Sequence, residues 1–198
     1  DRMIGGAGDD IAQIFAAGDG VDVFEITGDA EGVRVARTNR GQFSVEIAET
    51  ETLDLETQGG DDLIDASGLE AGGIAVDIQA GAGNDVAIGS QGDDILDGQD
   101  GDDLLVGGRG DDRMIGGAGD DRMVWNNGDG SDEMQGGAGL DTVEVNGAGG
   151  AGDQFVLTGD AEGATFQRVN LGPFTLDITE VERMEINGGG GDDTLDAS

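Results

Sequence analysis

The residues best placed to do chemistry are aspartates that close short glycine runs. From Gly89 the chain reads GSQGDDILD, GQDGDDLLV, GGRGDDRMI and GGAGDDRMV to Val124, and AGAGNDVAI at 80–88 precedes them in frame. Each nine-residue unit is glycine-rich over four positions, carries Asp or Asn at the fifth, Asp at the sixth and usually an aliphatic at the eighth. The sixth-position residues Asp85, Asp94, Asp103, Asp112 and Asp121 recur at a spacing of nine. After a two-residue slip the frame resumes at Asp132 and Asp141, and isolated units end at Asp10, Asp22, Asp62, Asp153 and Asp193. Carboxylates are also nearly all the chain offers. It has no His, Cys, Tyr or Lys, and its 9 cations are all Arg. That excludes a Ser-His-Asp triad, a thiol nucleophile, a Schiff-base lysine and a His-ligated metal. Neighbours such as Asp93 and Asp94 imitate a glycosidase pair, but a pair repeated every nine positions suits many equal sites better than one active centre. We expect no catalysis.

Carboxylates beside glycine turns suit a different task. Glycine lets the backbone take positive φ and turn its carbonyls inward. A slot lined by carbonyls and carboxylates, with no nitrogen or sulfur donor, fits hard Ca²⁺ with its six to eight oxygen ligands. The charge balance points the same way. The 198 residues hold 44 acids against 9 cations, a net charge of -35, and roughly eight to ten Ca²⁺ would offset about 16 to 20 of these charges. Acidity this extreme argues for a disordered metal-free chain that folds as it binds. The competing reading is a solvated acidic turn, and it applies with most force at Asp22 and Asp153, where the glycine pattern is irregular.

The motif GGxGxDxUx resembles the RTX (hemolysin-type) calcium-binding nonapeptide repeat. The resemblance implies an all-β fold, a parallel β-roll or β-solenoid. The last three residues of each unit form a short strand whose middle side chain points inward, and two units make one coil. Units i and i+2 then stack on one edge about 4.8 Å apart. On that basis Asp85 with Asp103, Asp94 with Asp112, and Asp103 with Asp121 would flank ions. Asp112 with Asp132 and Asp121 with Asp141 would do so across the slip. Turn carbonyls around Gly89, Gln91, Gly98, Asp100, Gly107, Arg109, Gly116, Ala118, Gly136 and Ala138 would complete the sites. The resemblance also implies export through type I secretion and folding in external calcium.

These turns need elements to hold them. The eighth positions supply a core of Leu96, Leu105, Met114, Met123 and Met134. Residues 22–57 alternate in period two (Phe24, Ile26, Val33, Val35, Phe43, Val45, Ile47, Leu53, Leu55), which reads as three or four antiparallel strands. Ile74, Val76 and Ile78 make a strand leading back into the roll, and no stretch reads as a helix. FEITGDAEG and QGGDDLIDAS recur at one offset as FVLTGDAEG and GGGDDTLDAS, so a longer compound unit repeats. Its second copy carries what reads as an addition, QGGAGLDTVEVNGAGG. The expected organisation is a repeat block at 1–22, a β-excursion at 23–58, the main roll at 59–144, a second excursion at 145–187 and a further block from 188 to 198. Both ends fall inside a unit, which we read as a piece of a longer tandem array.

Val86, Ile88, Leu104, Val106 and Val124 should form an apolar stripe on one outer face, next to Trp125. Either the excursions or a neighbouring module would cover it. The expected partners are adjacent modules or copies of the same chain. Nucleic acid is disfavoured by like charge. No run of about 18 apolar residues supports membrane insertion, so any cell-surface attachment would come through regions outside these residues. Lack of Cys is compatible with secretion without disulfides. The expected function is a calcium-rigidified structural module of a secreted bacterial surface protein, such as an adhesin stalk, surface-layer component or filament. The alternative is the calcium-dependent folding and secretion tail of a type I secreted enzyme or toxin. A third possibility, ice binding, lacks a regular Thr ladder.

Overall fold

A computed structural model describes residues 2–5, 9–16, 18, 20–29, 31–70, 74–150, 152–160, 163–170 and 172–197. Glycine turns every nine residues leave room only for short strands, and the described residues contain strands and no helix. The chain begins with β1 (Arg2–Ile4) and β2 (Ile11–Phe15). It then folds back on itself through β3 (Val23–Asp29), β4 (Gly32–Arg37) and β5 (Phe43–Ala48), an antiparallel set, and returns with β6 (Thr52–Glu56). From there the strands alternate between two sheets: β7 (Leu63–Leu69), β8 (Ala75–Gln79), β9 (Val86–Ile88), β10 (Ile95–Asp100), β11 (Leu104–Val106), β12 (Arg113–Ala118), β13 (Arg122–Asn126), β14 (Glu133–Ala138) and β15 (Thr142–Asn146). A second antiparallel set follows in β16 (Gln154–Gly159), β17 (Ala164–Arg168) and β18 (Phe174–Thr179), then β19 (Arg183–Asn187) and β20 (Thr194–Asp196).

The result is the parallel β-roll with antiparallel excursions that the repeat implies. One sheet runs β1-β5-β4-β3-β7-β9-β11-β13-β15-β19 and the other β2-β6-β8-β10-β12-β14-β18-β17-β16-β20. Strands of three residues cannot stand alone, so the inward column holds each coil on the next. Leu96 aligns with Met114 and Met134 in one sheet, and Ala87 with Leu105, Met123 and Val143 in the other. All seven are fully buried, and each large aliphatic contributes about 1.5–3 kcal/mol by leaving water.

Register corrects two expectations. The pair Arg2 with Glu46 recurs as Glu133 with Asp177, Ile11 with Thr52 as Thr142 with Arg183, and Val23 with Leu63 as Gln154 with Thr194. QGGAGLDTVEVNGAGG is therefore not an addition: β14 and β15 stand where β1 and β2 stand in the first copy. The antiparallel part of each excursion is also shorter than expected. β6 and β19 pair in parallel with β2 and β15 and already belong to the roll. The first excursion continues one sheet and the second continues the other.

The excursion strands extend the sheets in line, and Val86, Ile88, Leu104, Val106 and Val124 stay half-buried. Trp125 is not beside that stripe. It points inward and is fully buried, its ring stacked 3.8 Å from that of Phe174 and its Nε1–H donating to the Gly130 carbonyl at 3.0 Å. No helix among the described residues is long and apolar enough to cross a membrane.

Candidate metal centre

Where a unit begins with glycine, the turn folds its sixth-position carboxylate back over that glycine. A Cβ on Gly136 would stand 2.6 Å from Asp141 Oδ2 and against the Glu180 carbonyl of the next coil. One on Gly116 would meet Asp121 Oδ2 and, at 2.6 Å, the Gly136 carbonyl; one on Gly98 would meet Asp103 Oδ2 and, at 2.7 Å, the Gly116 carbonyl. The missing side chain thus leaves a cradle in which one carboxylate oxygen and a carbonyl from the next coil converge. The fourth-position Gly119 has φ +141°, which L side chains rarely adopt, and a Cβ there would run into the Gly101 carbonyl.

Two opposed ladders of hydrogen bonds hold these carboxylates. In the first, the N–H of a sixth-position aspartate donates to Oδ1 of its counterpart one coil on: Asp22 to Asp62 (2.7 Å), Asp62 to Asp85 (2.6 Å), Asp85 to Asp103 (2.7 Å), Asp103 to Asp121 (2.9 Å) and Asp121 to Asp141 (2.9 Å). The other edge repeats it from Asp94 to Asp112 (2.9 Å), Asp112 to Asp132 (3.1 Å) and Asp153 to Asp193 (2.8 Å). In the second ladder the fifth-position side chains accept from the following coil. Asp102 N–H donates to Asn84 Oδ1 (3.1 Å), Asp120 N–H to Asp102 Oδ1 (2.8 Å) and Asp111 N–H to Asp93 Oδ1 (2.9 Å). Asn serves there as well as Asp because the position only has to accept.

Along the running roll the first ladder uses one oxygen of each accepting carboxylate. The other, Oδ2, is buried without a hydrogen-bond partner in Asp62, Asp85, Asp103, Asp112, Asp121 and Asp141. Leaving such an oxygen charged and unpaired is costly, and the proton affinities record it. Burial, reinforced by neighbouring aspartates, pushes Asp85 up to about 7, Asp103 to about 6, Asp112 to about 8, Asp121 to about 6 and Asp132 to about 7. Asp62, Asp94 and Asp141 are raised for the same primary cause. Among the described residues, no three carboxylates gather closely enough to hold a metal ion by side chains alone. Each coil instead brings single carboxylates together with carbonyls. That hard-oxygen set, short of positive charge, fits Ca²⁺.

Ten of the twelve sixth-position aspartates are buried; Asp10 is half-buried and Asp193 exposed. All five expected pairs, including those across the slip, are neighbours on one edge. The first-position carbonyls of Gly107, Gly116 and Gly136 face the preceding coil's first glycine, Gly89, Gly98 and Gly116 respectively. Third-position carbonyls behave differently. Those of Asp100, Ala118 and Ala138 accept the N–H of Gly83 (2.8 Å), Gly101 (2.7 Å) and Gly119 (2.9 Å), which leaves each one lone pair. Gln91 and Arg109 occupy that position on the opposite edge, where Arg109 N–H donates to the Ser90 carbonyl at 3.2 Å.

Five groups escaped the motif. Glu51 and Glu182 extend the ladder outside any glycine unit, accepting the N–H of Asp10 (2.7 Å) and Asp141 (2.9 Å). Asp129 is pushed up to about 6 by burial, and its charge in turn raises Asp112 and Asp132. Arg37 and Arg168 face Asp22 and Asp153, with Arg37 Nε 2.9 Å from Asp22 Oδ1 and Arg168 Nη1 3.6 Å from Asp153 Oδ1. Only the equivalence of the two excursions in the compound repeat signals these arginines.

Coils closed by glycine turns, with inward aliphatics and buried carboxylates beside carbonyls, define a β-roll of the calcium-binding kind. The family described as the RTX calcium-binding nonapeptide repeat matches the chain in four copies, at residues 1–13, 77–105, 97–124 and 185–198, so these segments carry RTX repeats. Repeats of this kind bind calcium and typify type I secreted extracellular proteins. No curated protein matches the chain.

Proposed function

We propose that this chain is a structural module of a secreted bacterial surface or extracellular protein, such as an adhesin stalk, surface-layer component or filament, which external calcium folds and stiffens. The observation that carries the reading is the set of buried, unpartnered Oδ2 atoms that recurs from coil to coil, in a chain with 9 cations for 44 acids. Calcium in the millimolar range outside the cell would neutralise this set, and the far lower cytosolic level would leave the chain unfolded for export. Ten strands per sheet, stacked about 4.8 Å apart, give a rod about 43 Å long. The same excursion set on opposite sheets makes a compound repeat suited to a regular shaft, and adjacent modules are the natural partners. No group in the turns is placed for catalysis in this reading.

The experiment is fractionation of the producing cells grown with calcium. Recovery on the cell surface, with release by EDTA, supports the module. Recovery in the medium joined to a protease or lipase activity favours the secretion-tail reading.

A further inference from the structure

Where the roll is interrupted, the chain supplies its own cation. In the running roll each sixth-position Oδ1 accepts an N–H from the coil before. Asp22 and Asp153 have an excursion hairpin on that side instead. In both, the last residue of the second hairpin strand fills the gap: Arg37 ends β4, Arg168 ends β17, and the two occupy equivalent places beside Phe24 and Phe155. Asp22 and Asp153 are 1% and 0% exposed.

Arg168 is held from every side. Its Nε and Nη2 donate to the Gly172 carbonyl at 3.0 and 2.8 Å, its Nη1 donates to Asn127 Oδ1 at 2.6 Å, and its guanidinium lies 5.7 Å from the Trp125 ring and 5.2 Å from that of Phe174. Asp153 Oδ2 accepts Ala148 N–H at 2.9 Å, as Asp94 Oδ2 accepts Ser90 N–H in the running roll, whereas Asp22 Oδ2 is buried without a hydrogen-bond partner.

We propose that Arg37 and Arg168 stand in for calcium at Asp22 and Asp153, so that the two junctions are neutralised permanently and bind no ion. A guanidinium stays charged at any pH the protein meets. A divalent ion on the same carboxylate would be repelled by it and, on the side of the preceding coil, would find a hairpin in place of a turn that presents carbonyls. The two junctions then need no external calcium. They act as fixed starting points on which calcium-loaded coils stack.

The first test rests on the calcium reading and counts ions on the intact chain, cleared with EDTA and resaturated with calcium, by native mass spectrometry. Asp103→Asn should bind one ion fewer than the parent, whereas Asp22→Asn and Asp153→Asn should bind as many as the parent. Loss of an ion from either of these two overturns the proposal. The second test is independent of ion counting: a double-mutant cycle of Asp153→Asn and Arg168→Gln on thermal unfolding, repeated with Asp22→Asn and Arg37→Gln. Arg→Gln should lower the unfolding temperature by about 5 °C or more while the aspartate is present, and by clearly less in the Asn background. Equal losses in both backgrounds overturn the pairing. A parent chain that binds no calcium would refute the proposed function while leaving this cycle to judge the pairing.

Discussion

Asp103→Asn should move stability in opposite directions with and without calcium. Asp103 has two separable oxygens: Oδ1 accepts Asp85 N–H at 2.7 Å, and Oδ2 is buried without a partner above Gly98. Asparagine keeps the first contact through its own Oδ1 and puts an amide N–H₂ where Oδ2 stood, close to the Gly116 carbonyl. Burial is the main cause that lifts the carboxyl from 3.8 to about 6. The shift of about two units, at about 1.4 kcal/mol each, means that the charged group costs the metal-free fold on the order of 3 kcal/mol at about pH 8. Asparagine removes that cost and also removes a calcium ligand. Urea unfolding, followed through the fluorescence of the buried Trp125, reads both effects: once in EDTA with sucrose to favour the folded state, once in millimolar calcium. The Asn variant should be the more stable protein in EDTA and the less stable in calcium. Asp103→Ala should fall below the Asn variant in both conditions, since it leaves Asp85 N–H without its acceptor, at about 1–3 kcal/mol. An Asn variant weaker than the parent in EDTA, or equal to it in calcium, would refute the reasoning.

Three further outcomes follow from the same geometry. Gly119→Ala places a Cβ against the Gly101 carbonyl at φ +141°, whereas Gly128 has φ +110° and nothing within 4 Å. Gly128→Ala should therefore cost only about 1–2 kcal/mol of backbone strain, and calcium titrations should show Gly119→Ala needing far more calcium to fold; equal midpoints would contradict the stacked-turn geometry. In the metal-free fold Asp85, Asp112 and Asp132 titrate near 7, 8 and 7, above their unfolded value of 3.8. The folded state therefore binds more protons, the penalty is complete only above about pH 9, and it fades as pH falls through these values. Circular dichroism in EDTA should show structure gained on acidification from about pH 8 to about pH 5, and structure lost over that range would refute the buried charges. Leu105→Ala, in the fully buried inward column, should cost about 2–5 kcal/mol in calcium-loaded unfolding; a loss below 1 kcal/mol would place Leu105 outside the core.

Much of the fold was legible because its rule is local. A period of nine sets turn, ligand and inward residue together, so Leu96, Leu105, Met114, Met123 and Met134 could be placed inside, and the twelve aspartates at turn ends, from spacing alone. What escaped is non-local or directional. Nothing within a unit tells that the fifth-position side chains accept from the following coil and the sixth from the preceding one. Glu51, Glu182, Arg37 and Arg168 lie 15 or more residues from the ladder positions they complete, and only the register of returning strands brings them there. Trp125 looked outward in the nonapeptide frame because its burial depends on Phe174, 49 positions later, reaching the same core. The third-position carbonyls of Asp100, Ala118 and Ala138 read as ligands, yet the ladder between coils engages them first.

The central claim is that calcium and fold are one event. Far-UV circular dichroism of the intact chain, titrated with calcium from an EDTA-treated start and reversed by added EDTA, tests it most directly. The account predicts little β-signal without metal, a cooperative gain as calcium approaches the millimolar range and its loss on chelation. A full β-signal in EDTA at about pH 8, unchanged by calcium, would contradict it.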